Sequence, residues 1–168
     1  LGVSILYLSI AQRLDLPLEI ITPPGHIFIR YNSGESHQNI ETTARGIHLP
    51  DRVYLGINTR KLQKRTLKEV IGLAFINQAA VSWHKEKHET TVELYEKALP
   101  YLPHDPLLKM LLGYNYLFVG KIAEGRELLE EIRDVTFDHA VAKEVTPEDY
   151  LNGKVSVAGI QAIFSPVD

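Results

Sequence analysis

The chain has 168 residues, of which 45 % are hydrophobic and 23 % charged, an ordinary soluble composition that suits one medium domain or two small ones sharing a core. A formal net charge of −3 is too weak a field to draw nucleic acid or an anionic membrane as the main partner. With no cysteine, disulfides, thiolate metal sites and a cysteine nucleophile are excluded within these residues, which fits a reducing, cytoplasmic setting.

Leu1 to Ala11 is apolar but lacks a basic leader and meets Arg13 and Asp15 within a turn, so it reads as a core helix rather than a signal peptide. The chain opens on Leu, and a preceding segment is expected. No stretch reaches the roughly 18 apolar residues of a membrane span. Val3, Leu6, Tyr7, Ile10, Ala11 and Leu14 recur at helical spacing and predict the buried face of that helix, which ends near Asp15 before Pro17. Leu18–Thr22 and His26–Tyr31 are β-branched and aromatic, with turn chemistry at Pro23-Pro24-Gly25 between them, and they predict two neighbouring strands. Asn32-Ser33-Gly34-Glu35 is a second turn, and Gln38–Thr43 a third strand. An irregular linker follows over Gly46–Asn58, with a short strand expected at Val53–Leu55.

From Thr66 the period becomes helical. Thr66 with Glu69 three residues later has the pattern of a capping box. Displaced by 34 residues, the helical region matches itself: Leu73 falls on Leu107, Ala74 on Leu108, Ile76 on Met110, Ala79 on Gly113, Tyr95 on Leu129 and Ala98 on Ile132. The first copy ends in Tyr95-Glu96-Lys97-Ala98-Leu99 with Pro103 beyond, and the second opens with Leu112-Gly113, Tyr116 and Gly120. These elements resemble the tetratricopeptide (TPR) repeat, and they predict two helical hairpins over residues 72–135, with Tyr116 an aromatic of the repeat core. Such arrays hold peptides on a concave face. Here Leu107, Met110, Leu111, Tyr114, Leu117 and Phe118 make the lining helix apolar almost all round, which favours intramolecular packing over a carboxylate clamp. Thr146-Pro147-Glu148-Asp149 predicts a further helix start, and Val155–Phe164 suits either a helix or a strand.

In the first half, antiparallel strands can bring His26 and Glu41, fifteen residues apart across a turn, side by side. The order of helix, proline, strand, histidine-bearing strand, turn and acid-bearing strand resembles the papain-like and transglutaminase-like arrangement. The pieces are Gly2-Val3-Ser4 with Leu6-Tyr7, Arg13-Leu14 with Leu16-Pro17, Pro24-Gly25-His26, and Glu41-Thr42-Thr43 with Gly46. They are similar to the transglutaminase-like superfamily and, within it, to the bacterial SirB-type branch, whose members are often followed by TPR repeats; Leu73–Ala79 with Asn77 resembles the segment that opens those repeats. The resemblance implies a cysteine nucleophile at a helix N-terminus, His26 as base and Glu41 as orienting acid, with the nucleophile expected immediately before Leu1. Glu41 stands where Asp is usual, and the SirB-type branch often lacks the cysteine, so fold alone does not imply catalysis. His26 bonded to a loop carbonyl, and Glu41 paired with Arg30 or Arg45, are the structural alternatives.

Other signals are weaker. His84 and His88 lack the zinc-protease pattern because Lys85 follows His84, and Lys85-Glu86-Lys87 suits a solvated turn. Arg60-Lys61 to Lys64-Arg65 has no interleaved aromatic and suits a solvated helix start. Ser4 and Ser9 lie in no nucleophile elbow. No cofactor or metal is expected. The expected protein is therefore α+β: a transglutaminase-like segment at 1–62 with a small antiparallel sheet, a TPR-like array at 63–135, and an extension at 136–168. Its expected role is interaction with a protein or peptide, or regulation, without catalysis by these residues alone. The alternative is a cysteine protease or acyl-transfer enzyme.

Overall fold

The computed structural model describes residues 2–23, 26–55, 61–135, 137 and 146–164. The expected turn residues Pro24-Gly25, the linker residues Gly56–Asn58 and Arg60 of the basic run lie outside the described residues. The architecture is mixed α/β, and the chain divides into two compact units, Leu1–Leu67 and Lys68–Asp168.

The first unit comprises α1 (Gly2–Arg13) and a four-stranded antiparallel sheet of β1 (Leu18–Thr22), β2 (Phe28–Asn32), β3 (His37–Ile40) and β4 (Gln63–Arg65), in the order β3-β2-β1-β4. Ile20, Ile29 and Ile40 form one cross-strand row, and Glu19, Arg30 and Asn39 form the next, so alternation sends apolar and polar rows to opposite faces. The β2–β3 register is fixed by the turn after Asn32, whose Oδ1 accepts the Gly34 amide at 3.0 Å.

Three expectations change here. β3 stops at Ile40 rather than Thr43, because the Glu41 side chain takes the Thr43 amide and caps a 3-10 turn at Thr42–Ala44. Val53–Leu55 is not a strand: a 3-10 turn occupies Asp51–Val53. The basic run supplies β4 instead of a helix start, pairing Gln63, Lys64 and Arg65 with Thr22, Ile21 and Ile20; charged residues suit an edge strand because they discourage pairing with another chain.

α1 forms where expected but buries a different face. Ser4, Leu8 and Ala11 point inward, while Val3, Leu6, Tyr7, Ile10 and Leu14 are exposed. Apolar residues occur on both sides of this helix, so their spacing could not choose. The side that carries small residues and a hydroxyl to pair with Thr42 is the one that packs.

The second unit is helical: α2 (Leu67–Trp83), α3 (His88–Ala98), α4 (Pro106–Phe118), α5 (Ile122–Glu131), α6 (Pro147–Leu151) and α7 (Val157–Phe164). α2 begins directly after Thr66. Asp105 caps α4, with Pro106 in its first turn, and α6 opens with a complete Thr146–Asp149 capping box. Val157–Phe164 is resolved as helix.

Of the six pairs that match across the 34-residue displacement, three are buried in both copies, Ala79 and Gly113, Tyr95 and Leu129, and Ala98 and Ile132, while Leu73, Ala74 and Ile76 of the other three are only partly buried. Tyr116 is only partly buried, its hydroxyl donating to Glu96 at 2.9 Å, and Tyr114 is the aromatic that fills the interior. α4 and α5 run antiparallel and meet at two glycines. A Cβ on Gly113 would lie 3.0 Å from Leu129, and one on Gly125 would lie 2.8 Å from the Gly113 carbonyl oxygen and 2.7 Å from Leu117. Gly125→Ala is therefore expected to lower stability by about 1–2 kcal/mol, overpacking outweighing the helix propensity gained. Urea unfolding followed by Trp83 fluorescence measures it, since Trp83 is the chain's single tryptophan and lies in this unit. An unchanged or higher midpoint would contradict the close crossing.

Among the described residues no helix is long and apolar enough to cross a membrane.

Candidate active site

The site is built on the turn that follows β3. Glu41 donates its amide to the Ile47 carbonyl at 3.0 Å, and its own carbonyl accepts the Ala44 and Gly46 amides at 3.1 and 2.9 Å. Gly46 at φ 78° and Arg45 at φ 59° carry the chain back through the left-handed region, where glycine is favoured. The backbone of Glu41 is thus fixed before its side chain makes any contact.

That side chain is 95 % buried and fully bonded. Oε1 accepts the Thr43 hydroxyl at 2.6 Å and the Thr43 amide at 3.2 Å; Oε2 accepts the Tyr54 hydroxyl at 3.0 Å and meets His26 Nε2 at 2.6 Å. Burial alone would push the carboxyl up. Hydrogen bonds from the Thr43 hydroxyl, His26, the Thr43 amide and Tyr54 outweigh it and hold the group at about 2. An ionised carboxylate only accepts, so His26 Nε2 is the donor of this bond, and a neutral ring bonded in this way has its lone pair on Nδ1.

The structure brings together the two residues singled out from the sequence. His26 lies just before β2 rather than within it, and about a third of its side chain is exposed. Its ring stacks toward Tyr54 at 6.0 Å between centroids, and Tyr54 stacks on the buried Phe28 at 4.3 Å. Arg30 and Arg45, the alternative partners considered for Glu41, do not bind it; Arg30 pairs with Asp51.

Tyr54 is the member that sequence reasoning missed. An aromatic in a stretch without period was the available signal, and it was read as strand. Burial and then the bond to Glu41 push its hydroxyl well above the ordinary tyrosine range, so it remains a donor at any physiological pH.

The first turn of α1 belongs to the same site. Ser4 Oγ, buried, lies 2.8 Å from the Thr42 hydroxyl, which sets the N-terminal end of α1 beside the turn that carries Glu41. Three of the segments noted in the sequence, Gly2-Val3-Ser4, Pro24-Gly25-His26 and Glu41-Thr42-Thr43, thus contribute residues to one place.

Residues 1–111 match the family profile of the transglutaminase-like superfamily. The chain belongs to that superfamily. No curated protein and no solved structure matches it at a comparable level. The superfamily match extends beyond the sheet, through α2 and α3 into α4.

The transglutaminase-like chain brings together no cluster of three or more His, Asp or Glu suited to a metal among its described residues. His84 is exposed, and His88 packs edge-on against Phe118 at 5.3 Å.

Proposed function

We propose that this superfamily member carries the base and orienting acid of a thiol-dependent acyl transfer, acting on an amide of a protein or peptide. The 2.6 Å contact between His26 Nε2 and the buried Glu41 carboxylate carries this reading. Glu41 fixes the tautomer and ring orientation and stabilises the imidazolium when it forms, as the acid of a catalytic triad does.

The chemistry this pair suits begins with Nδ1 accepting a thiol proton. The thiolate attacks the amide carbonyl, and the tetrahedral intermediate collapses as the imidazolium returns its proton to the leaving amine. Water or a second amine then cleaves the thioester. These 168 residues hold no cysteine, so the thiol comes from outside them. The Ser4–Thr42 bond supports a position at the N-terminal end of α1, where a helix terminus lowers a thiol's pKa.

The test is thiolysis of an activated acyl ester by a small added thiol. The protein is expected to accelerate it over the free thiol, and His26→Ala to remove at least about tenfold of that acceleration. Equal rates for wild type and variant would end this reading.

A second reading is that the chain acts as a SirB-type module with TPR-like repeats, in protein interaction or regulation, and uses no chemistry at His26. The matched buried positions at Ala79/Gly113, Tyr95/Leu129 and Ala98/Ile132 favour it. The same assay separates the two, because only the first makes His26 matter.

A further inference from the structure

Asp51 touches neither His26 nor Glu41, yet it lies at the centre of the first unit's other polar cluster. Its Oδ1 accepts from Arg30 Nη2 at 2.7 Å, from Asn39 Nδ2 at 2.7 Å and from His37 Nε2 at 3.3 Å. Arg30 and Asn39 are cross-strand partners on β2 and β3, and Arg30 Nε also donates to Asn39 Oδ1 at 2.8 Å. Asn39 is fully buried, and its Nδ2 donates to the Leu49 carbonyl as well, at 2.7 Å. The start of the 49–54 segment is therefore tied to the sheet by its side chains. The backbone carbonyl of Asp51 in turn accepts the amides of Tyr54 and Leu55 at 2.9 and 3.1 Å. One residue thus joins the sheet to the turn that aims the Tyr54 hydroxyl at Glu41.

We infer that Asp51 is a positioning residue for the His26–Glu41 pair, acting through Tyr54. The inference rests on the reading of that pair as base and orienting acid. The physical argument is one of entropy. Tyr54 closes a short 3-10 turn whose Arg52 and Val53 are exposed, and a free turn would spend its hydroxyl's single bond on water. Three donors on one carboxylate oxygen, all from the adjacent strands β2 and β3, remove that freedom before Tyr54 reaches Glu41.

Direct electrostatics and positioning act on Glu41 in opposite directions. Deleting the Asp51 charge by itself would make it easier for Glu41 to ionise and move its titration down. Losing the Tyr54 bond would move it up. The groups that face Glu41 are His26, Thr43 and Tyr54; those that face Asp51 are Arg30, Asn39 and His37.

The experiment is a carbon-detected NMR titration of the Glu41 carboxyl in the whole protein, whose wild-type midpoint is expected at about 2. Tyr54→Phe is expected to raise the midpoint by about one pH unit. Asp51→Ala is expected to raise it by a similar amount, and the double variant no further. Asp51→Asn, which keeps an oxygen for Arg30 and Asn39, is expected to restore the midpoint to the wild-type value or slightly below. A midpoint in Asp51→Ala that is unchanged or lowered overturns the inference. Should that variant fail to fold, Arg30→Lys, which keeps the charge but cannot hold Asn39 and Asp51 together, takes its place and is expected to shift the midpoint upward by a smaller amount; no upward shift there overturns the inference equally. The titration needs no turnover, so inactivity of the protein toward acyl esters would count against the proposed function and leave this result readable.

Discussion

Glu41→Gln is expected to flatten the acid limb of the first unit's stability curve and to cost that unit up to about 3 kcal/mol at neutral pH. The carboxyl is held at about 2 against an ordinary value of 4.5. At about 1.4 kcal/mol per pH unit, that gap is worth roughly 3 kcal/mol. The folded value is the depressed one, so the stabilisation is fully present above about 4.5 and drains away as the pH falls toward about 2. Because the group is buried, solvent screens it little. Glutamine keeps an oxygen for Thr43 or for Tyr54 and His26 but places an amide where a second acceptor is needed, opposite two of the four donor groups. Glu19 and Asp51 are also held below their usual range, by Lys64 and Asn32 for Glu19 and by Asn39, Arg30 and His37 for Asp51, so both proteins lose stability in acid. The difference between the two curves isolates Glu41. Amide hydrogen exchange of β2 and β3 from pH 7 to pH 3 measures it within the first unit. Parallel curves would mean that the carboxylate is not held as the four hydrogen bonds require.

The pairing of His26 with Glu41 was legible because it depends on little. An antiparallel hairpin with a marked turn at Asn32–Glu35 fixes which residues can meet, and Glu41-Thr42-Thr43 carries its own capping chemistry. Tyr54 was not legible, since its place depends on Asp51 finding Arg30 and Asn39 across two strands, a contact that no local period encodes. The face of α1 failed for a related reason. Val3, Leu6 and Ile10 are as apolar as Leu8, and what selects the inner side is a hydroxyl pair 38 residues apart. β4 was hidden because an edge strand of Gln63, Lys64 and Arg65 has the composition of a solvated turn. In the helices the start at Thr146 was local, and it agrees with the structure. The choice between Tyr114 and Tyr116 for the interior was not local, because two aromatics two residues apart face different sides of a helix.

Tyr114→Ala is expected to destabilise the second unit by about 3–5 kcal/mol, while Tyr114→Phe leaves it unchanged or raises its stability by up to about 1 kcal/mol. The ring is fully buried with Met110, Leu117, Leu129, Ile132, Tyr150 and Ile160, and it meets Phe164 of α7 at 5.7 Å between centroids, tilted by 43°. Removing it opens a cavity where α4, α5 and α7 share one core, and helices pinned at Gly113 and Gly125 have little room to collapse into it. The hydroxyl is a different matter. It is buried with no hydrogen-bond partner among the described residues, and burial pushes it far above the usual tyrosine range. A buried, unpaired donor costs free energy, so taking off the oxygen and keeping the ring should relieve that cost. Urea midpoints followed by Trp83, whose ring lies 5.4 Å from that of Phe164 at the border of this core, read both variants. Phe less stable than the wild type by about 1 kcal/mol would mean that the hydroxyl holds a hydrogen bond after all, and Ala milder than about 2 kcal/mol would mean that α7 does not close this core.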